Sequence, residues 1–343
     1  STYAQDLMKS LELQLMKANI QLEIVGYYQL TGNRAKRISF AQIEKKHNVL
    51  GYVVYAQRLS TEQSTRLLEL VERTRKPVSI LDVGTIRTDP VVIRSNPRSR
   101  SFYYWGGERG GELVGQYLAG LGHSRIAYFS VVNDQHPGNA TLSRKRGLDT
   151  AFAATGHVNA VRHMYCERFS TYAEVAAHFE RKPPFRDLVT LLARFDEKVK
   201  QVEVTPHTHY PPMPTNHPLH RFYWYELLRP CFEAALEDPS ITAWVGFSDT
   251  IAFLAYSFLK SRGVRVPQDI SLMGFDDTVE AFGFNLSSYN FNCEGMITAV
   301  LDHIIRFSSS SLRGGGNKAA PYYEVPGRVM ARGTTGAARE RRA

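Results

Sequence analysis

Ile270-Ser271-Leu272-Met273-Gly274-Phe275-Asp276-Asp277 is the stretch that decides the fold. An apolar run ends in a glycine, an aromatic and two adjacent carboxylates. A parallel strand covered on both faces reads as such a run, and open α/β sheets hold ligand groups just beyond the carboxyl ends of their strands. The same two carboxylates could instead cap the next helix. Just upstream, Gly263-Val264-Arg265-Val266-Pro267-Gln268-Asp269 reads as a helix stop and a tight connection into the strand.

Working outward, strand and helix patterns alternate at short spacing. Strands are expected at 20–25, 49–55, 76–82, 124–129, 160–165 and 241–247, with helices at 4–16, 40–46, 61–74, 110–120, 144–154, 225–237, 249–261 and 293–307. This alternation predicts parallel sheets covered by helices on both faces. The stretch 181–219 breaks it. Thr205-Pro206-His207-Thr208-His209-Tyr210-Pro211-Pro212-Met213-Pro214 cannot be a regular element, because proline removes donors and restricts its predecessor. It reads as an irregular insertion, and the end of the chain, 336–343, as a basic tail.

The totals narrow the class. At 343 residues the chain is long enough for two lobes, each with its own core. A net charge of +9 permits contact with a polyanion without requiring it. Cys166, Cys231 and Cys293 are odd in number and far apart, which suits a reducing cytoplasm and argues against a disulfide framework or a thiolate zinc site. No apolar run approaches membrane-spanning length, so no membrane contact is expected. No nucleophile elbow, Walker loop or His-Glu-x-x-His appears, which argues against an enzyme, and no cofactor is expected. Gly106-Gly107-Glu108-Arg109-Gly110-Gly111 lacks the Lys-Ser/Thr of a phosphate loop, and its glycines read as a crossover turn. His207, His209, His217 and His220 have spacings that could share an ion, but a proline-rich loop favours solvated imidazoles, and no metal is expected.

The phrases Gly122-His123-Ser124-Arg125-Ile126-Ala127-Tyr128, Arg144-Lys145-Arg146-Gly147-Leu148, Ser248-Asp249-Thr250-Ile251-Ala252, Gly263 to Asp277, and Ala331-Arg332-Gly333-Thr334-Thr335 occur in that order. Together they resemble the effector-binding core of the lactose-repressor/galactose-repressor (LacI/GalR) family, over nearly the whole chain. The resemblance implies two Rossmann-like lobes of periplasmic-binding-protein type I, joined by three crossovers. The first lobe would span 1–104 and 289–311, the second 105–288 and 312–335. It also implies a small sugar-like effector held between the lobes, and a homodimer. DNA would be bound only through an N-terminal helix-turn-helix, which precedes the core in that family and has no counterpart in these residues. The reading is therefore a cytoplasmic regulator's sensory core, with a solute-binding protein of a sugar transport system as the alternative.

Carried onto this sequence, the resemblance places Asp276 as the acceptor of ligand hydroxyls and Arg144 as the ligand-binding arginine, whose fixed fork suits paired oxygens. Ser248 and Asp249 stand at another strand end, where Asp249 could equally cap the helix beginning at Thr250. Tyr3 falls near an aromatic that packs on ligand. Trp105 and Gly106 replace the aspartate common at the first crossover, and Phe291 lies at the third contact region. These changes imply a more aromatic lining than the family's usual one, although a tryptophan packed in the core is also compatible with the pattern.

Overall fold

A computed structural model describes residues 2–25, 40–46, 48–55, 66, 69, 74, 76–82, 99–104, 107–130, 140–165, 218–309 and 322–339. In chain order the elements are α1 (Thr2–Lys17), α2 (Phe40–Lys46), β1 (Tyr52–Tyr55), β2 (Val78–Asp82), β3 (Ser99–Tyr104), α3 (Glu108–Gly120), β4 (Ile126–Ser130), α4 (Ala140–Ala154) and β5 (Val161–Tyr165). There follow α5 (Pro218–Leu236), β6 (Ala243–Gly246), α6 (Asp249–Ser261), β7 (Ser271–Phe275), α7 (Val279–Gly283), β8 (Ser287–Asn290), α8 (Cys293–Ser309), β9 (Tyr322–Val325) and β10 (Arg328–Met330). The expected insertion lies outside the described residues except for Pro218 and Leu219, which already belong to α5. Pro218 can open that helix because a first-turn residue has no intrahelical use for its N–H.

Two sheets form among the described residues, in the orders β1-β2-β3-β9 and β10-β8-β7-β6-β4-β5. Every pairing is parallel except β10 with β8. This is the expected α/β class, with two parallel-sheet lobes. The chain passes between sheets after β3, after β8 and between β9 and β10, which makes three crossings. On the second return α8 packs on the first sheet. Ser79 Oγ donates to the Val300 carbonyl at 3.2 Å, and the Phe102 and His303 rings meet at 5.7 Å.

The structure shifts the expected edges. Tyr289 and Asn290 still belong to β8 of the second sheet, and 322–325, expected with the second lobe, pair with β3 in the first. Neither short strand has an apolar run long enough to mark it. Residues 20–25, expected as a strand, are irregular, and Ile24 is exposed. Residues 336–338, expected in a tail, dock instead. The Gly336 carbonyl accepts from Ser271 Oγ at 3.2 Å and contacts His123 Nε2 at 3.1 Å, and the Ala338 amide donates to the Leu121 carbonyl at 2.8 Å.

In the second sheet the described residues show how the strands are covered. Strands β4, β6 and β7 are buried at every position. Alternate side chains face opposite ways, as a period of two requires. Tyr128, Val245, Met273 and Phe275 join Val114, Leu118, Leu148 and Phe152 of α3 and α4. Phe129, Trp244 and Leu272 join Phe232 and Phe258 of α5 and α6 on the other side. Among the described residues no helix is long and apolar enough to cross a membrane.

Candidate functional site

Arg144 enters the site because two helices touch backbone to backbone. A Cβ on Gly111 of α3 would collide with the Arg144 carbonyl, and one on Gly147 of α4 would collide with the Glu108 carbonyl. Only residues without a side chain allow so close an approach. The glycines read as a crossover turn thus serve in part to seat α4. From there the Arg144 side chain, 4% exposed, runs under the carboxyl ends of β6 and β7.

Its guanidinium carbon lies 4.4 Å from the Phe247 ring centroid, 4.6 Å from Phe275 and 5.1 Å from Phe291. One N–H donates to the Phe247 carbonyl. Ring faces carry negative quadrupole density and attract such a cation. Behind it stand the hydroxyls of Tyr128 and Tyr289, both pushed well above the usual phenol range by burial, an effect the Arg144 charge partly offsets. A planar cation walled by phenyl rings can offer forked donors to a ligand's oxygens while the rings cover its apolar face.

Asp276 follows Phe275, one wall of the aromatic box, directly in the chain. Its backbone is left-handed, with φ of 110°, and that of Asp277 is too, at 52°. Non-glycine residues in this region are uncommon and tend to cluster where a site is being held in shape. The Asp276 amide donates to the Tyr289 carbonyl at 3.1 Å, and the residue is half-buried.

The other expected contacts divide. Phe291 is buried and is part of the box. Ser248 is the N-cap of α6, its hydroxyl accepting from the Ile251 amide at 3.4 Å. Asp249 is neither that cap nor exposed to a cleft. It is 1% exposed, with Oδ1 accepting from Ser288 Oγ at 2.6 Å and Oδ2 from the Thr278 amide at 2.8 Å and hydroxyl at 3.0 Å. Burial pushes its carboxyl up to about 6, with the nearby Asp277 charge adding to the shift. Asp277 meets Arg332 at 2.5 Å and accepts from Asn290 Nδ2 at 2.7 Å. Tyr3 lies in α1 with its side chain outside the described residues, as are Trp105 and Gly106.

Sequence reasoning missed Phe247 and the donors Thr278, Ser288, Asn290 and Arg332 that hold the carboxylates of Asp249 and Asp277. Phe275 was visible as the aromatic before the acid pair. The Ala331 to Thr335 phrase, quoted above for the resemblance alone, acts as a clamp on the second sheet. Thr334 takes the Leu272 amide on its carbonyl at 2.7 Å, and its hydroxyl joins Leu272 and Ser287, each at 2.8 Å. A separate shallow pocket lined by Ser124, Arg125 and residues 156–160 opens at the amino ends of β4 and β5, and shares no residue with the box. Among the described residues no three His, Cys, Asp or Glu side chains are grouped to hold a metal ion.

Comparison with known proteins bears on the fold. The family described as periplasmic binding protein-like domain matches residues 190–335, less than half of the chain. No curated protein matches. Among solved structures, a LacI family transcriptional regulator from Enterococcus faecium with bound ribose is 17% identical, with a TM-score of 0.56, covering 99% of this chain and 96% of that one. The Escherichia coli transcriptional repressor ascG is 17% identical with a TM-score of 0.56, covering 98% and 95%. A sugar-binding transcriptional regulator of the LacI family from Escherichia coli, complexed with phosphate, is 16% identical with a TM-score of 0.54, covering 98% and 93%. At these identities the likeness establishes the architecture, that of periplasmic-binding-protein type I.

Proposed function

We propose that the chain is the effector-sensing and dimerising core of a LacI-type transcription regulator, binding a small, oxygen-rich, sugar-like molecule and catalysing nothing. The observation that carries the reading is Arg144, buried among Phe247, Phe275 and Phe291 at strand ends beside the Asp276 turn. Phenyl faces suit the apolar side of a sugar ring, and the guanidinium and the Asp276 carboxylate supply a donor fork and an acceptor. Arg144, Asp276 and Phe291 are the contacts of this reading, Tyr3, Trp105 and Ser248 its outer candidates, with the lobes as expected apart from the shifted edges. Ligand would act by binding one inter-lobe geometry more tightly than another, since only differential affinity moves such an equilibrium. In the cytoplasm, a two-fold dimer would carry that change to DNA-binding heads preceding residue 1.

The test begins with a thermal-shift panel of sugars, sugar acids, sugar phosphates and nucleosides, ribose first because the Enterococcus faecium protein holds it. Calorimetry with the best hit on Asp276→Ala and Arg144→Ala should then show losses of about 2–5 kcal/mol. Unchanged affinity in both variants would overturn the site. A solute-binding protein would use the same cleft, and it is the second reading because the matched family is described as periplasmic binding protein-like. The gene sequence upstream of residue 1 separates the two: a helix-turn-helix supports the regulator, an export signal the solute-binding protein.

A further inference from the structure

The Asp276–Asp277 turn is held from below by one carboxylate. Asp249 bonds Thr278 directly and Asp277 through the Ser288 hydroxyl. Gly274 leaves room for Asp249 Oδ1, which a Cβ there would strike. Ser288 Oγ donates to Asp249 Oδ1 at 2.6 Å while accepting the Asp277 amide at 3.0 Å. Thr278 gives both its amide and its hydroxyl to Asp249 Oδ2. The Thr278 hydroxyl also accepts from the Ala281 amide at 3.2 Å, so the same carboxylate anchors the start of α7. Two successive non-glycine residues at positive φ revert to ordinary backbone unless their surroundings over-determine them. Besides the Asp276 amide on the Tyr289 carbonyl and the Asp277 carboxylate on Arg332 and Asn290, the restraints here include amide bonds on 277 and 278 that lead back to Asp249.

We propose that Asp249 is a positioning residue of the cleft: its buried carboxylate, through Ser288 and Thr278, holds the 276–278 backbone in the left-handed turn from which Asp276 projects. Where this concerns effector binding, it rests on the reading of Asp276 given above. Where it concerns the turn, it stands alone, and the test is made on the turn without ligand. The charged groups acting on Asp249 are Asp277 and, through its ion pair, Arg332. Hydrogen bonds to an ionised acceptor are the stronger kind. An uncharged Asp249 should therefore keep the turn but grip it less.

The experiment is residue-resolved amide hydrogen exchange on the full chain, corrected for intrinsic rates, with Asp249→Ala and Asp249→Asn. Removing the acceptor leaves buried donors unsatisfied, so Asp249→Ala should exchange at least about tenfold faster at Asp277 and Thr278. Amides of 113–118 in α3 should be unchanged. Asp249→Asn should lie between Ala and wild type at pH 7. Wild type should fall to the Asn level as pH drops through about 6, where the carboxyl becomes neutral, and Asn should not move. Unchanged protection at 277 and 278 in Asp249→Ala would overturn the proposal. So would a loss shared equally by 113–118, since that marks general destabilisation. Failure of the effector reading is a separate result, read from Asp276→Ala and Arg144→Ala in calorimetry.

Discussion

On the two sides of the β7 carboxyl end the protein treats buried charge in opposite ways. On one side Arg144 is surrounded by Phe247, Phe275 and Phe291, with a backbone carbonyl as a hydrogen-bond acceptor. On the other, Asp277 and Arg332 form an ion pair with side chains 8% and 11% exposed, flanked by Asn290 and the Leu286 carbonyl. One phrase, Phe275-Asp276-Asp277, serves both sides, because Phe275 faces Arg144 and Asp277 faces Arg332. The contrast separates two uses of charge. A cation among rings is held by ring faces and a backbone carbonyl, whereas the closed ion pair holds the end of the chain against the sheet.

The largest expected effect follows from breaking the closed pair. Asp277→Ala leaves the Arg332 guanidinium buried without its carboxylate and should cost about 3–5 kcal/mol of folding stability in urea denaturation. Arg144→Met should cost much less, about 1–2 kcal/mol. It replaces a guanidinium by an apolar side chain of similar reach, giving up the ring contacts and the hydrogen bond to the Phe247 carbonyl but leaving no buried charge unpaired. If the Arg144 variant proved as destabilising as the Asp277 variant, the two regions would not differ in kind.

How much of this was legible follows from where each constraint sits. The fully buried strands β4, β6 and β7 announced themselves as apolar runs, and so did the helices between them. The first sheet was harder, since β9 is a four-residue strand brought to β3 from more than two hundred positions away. Arg144 and Asp276 were singled out through the resemblance alone, and the structure sets the Arg144 guanidinium against Phe275, the residue before Asp276. Asp249 was not correctly read, because a strand-end carboxylate looks the same whether it faces a cleft or a neighbouring turn. What decides the matter is Thr278 and Ser288, 29 and 39 positions further on. Phe247 was overlooked because a single aromatic after a strand has no pattern until Arg144 packs on it.

A smaller effect sharpens the aromatic side. Gly111→Ala would place a Cβ against the Arg144 carbonyl, so α3 and α4 must separate. Overpacking of this kind costs about 1–3 kcal/mol. It should also move the guanidinium off the three rings, so on the proposed reading effector affinity should fall although residue 111 is not among the proposed contacts. Calorimetry beside denaturation checks this. A stability loss with unchanged affinity would show that the helix contact does not set the position of Arg144.

The smallest net effect is in pH, because buried Asp249 and half-buried His163 oppose each other. Asp249 is raised from 3.8 to about 6, so between those values the folded protein binds the proton that the unfolded chain releases. Its contribution to stability therefore declines as pH rises through that window. His163 runs the other way. Burial, with a smaller push from the Lys145 charge, lowers it from 6.5 to about 4, while its Nε2 lies 2.8 Å from Ser130 Oγ and its ring stacks on Tyr128 at 5.3 Å. Between 6.5 and 4 the unfolded chain takes up the proton that the folded one refuses, so stability declines as pH falls. Burial lowers His123 as well, which adds to the same slope. Wild type should accordingly show a shallow profile between pH 4.5 and 6.5. Asp249→Asn removes one slope and should lose stability on acidification more steeply than wild type. His163→Gln removes the other and should flatten or reverse the profile. Urea midpoints at half-unit pH steps check this, and identical profiles in all three proteins would show that neither group is the source of the pH dependence.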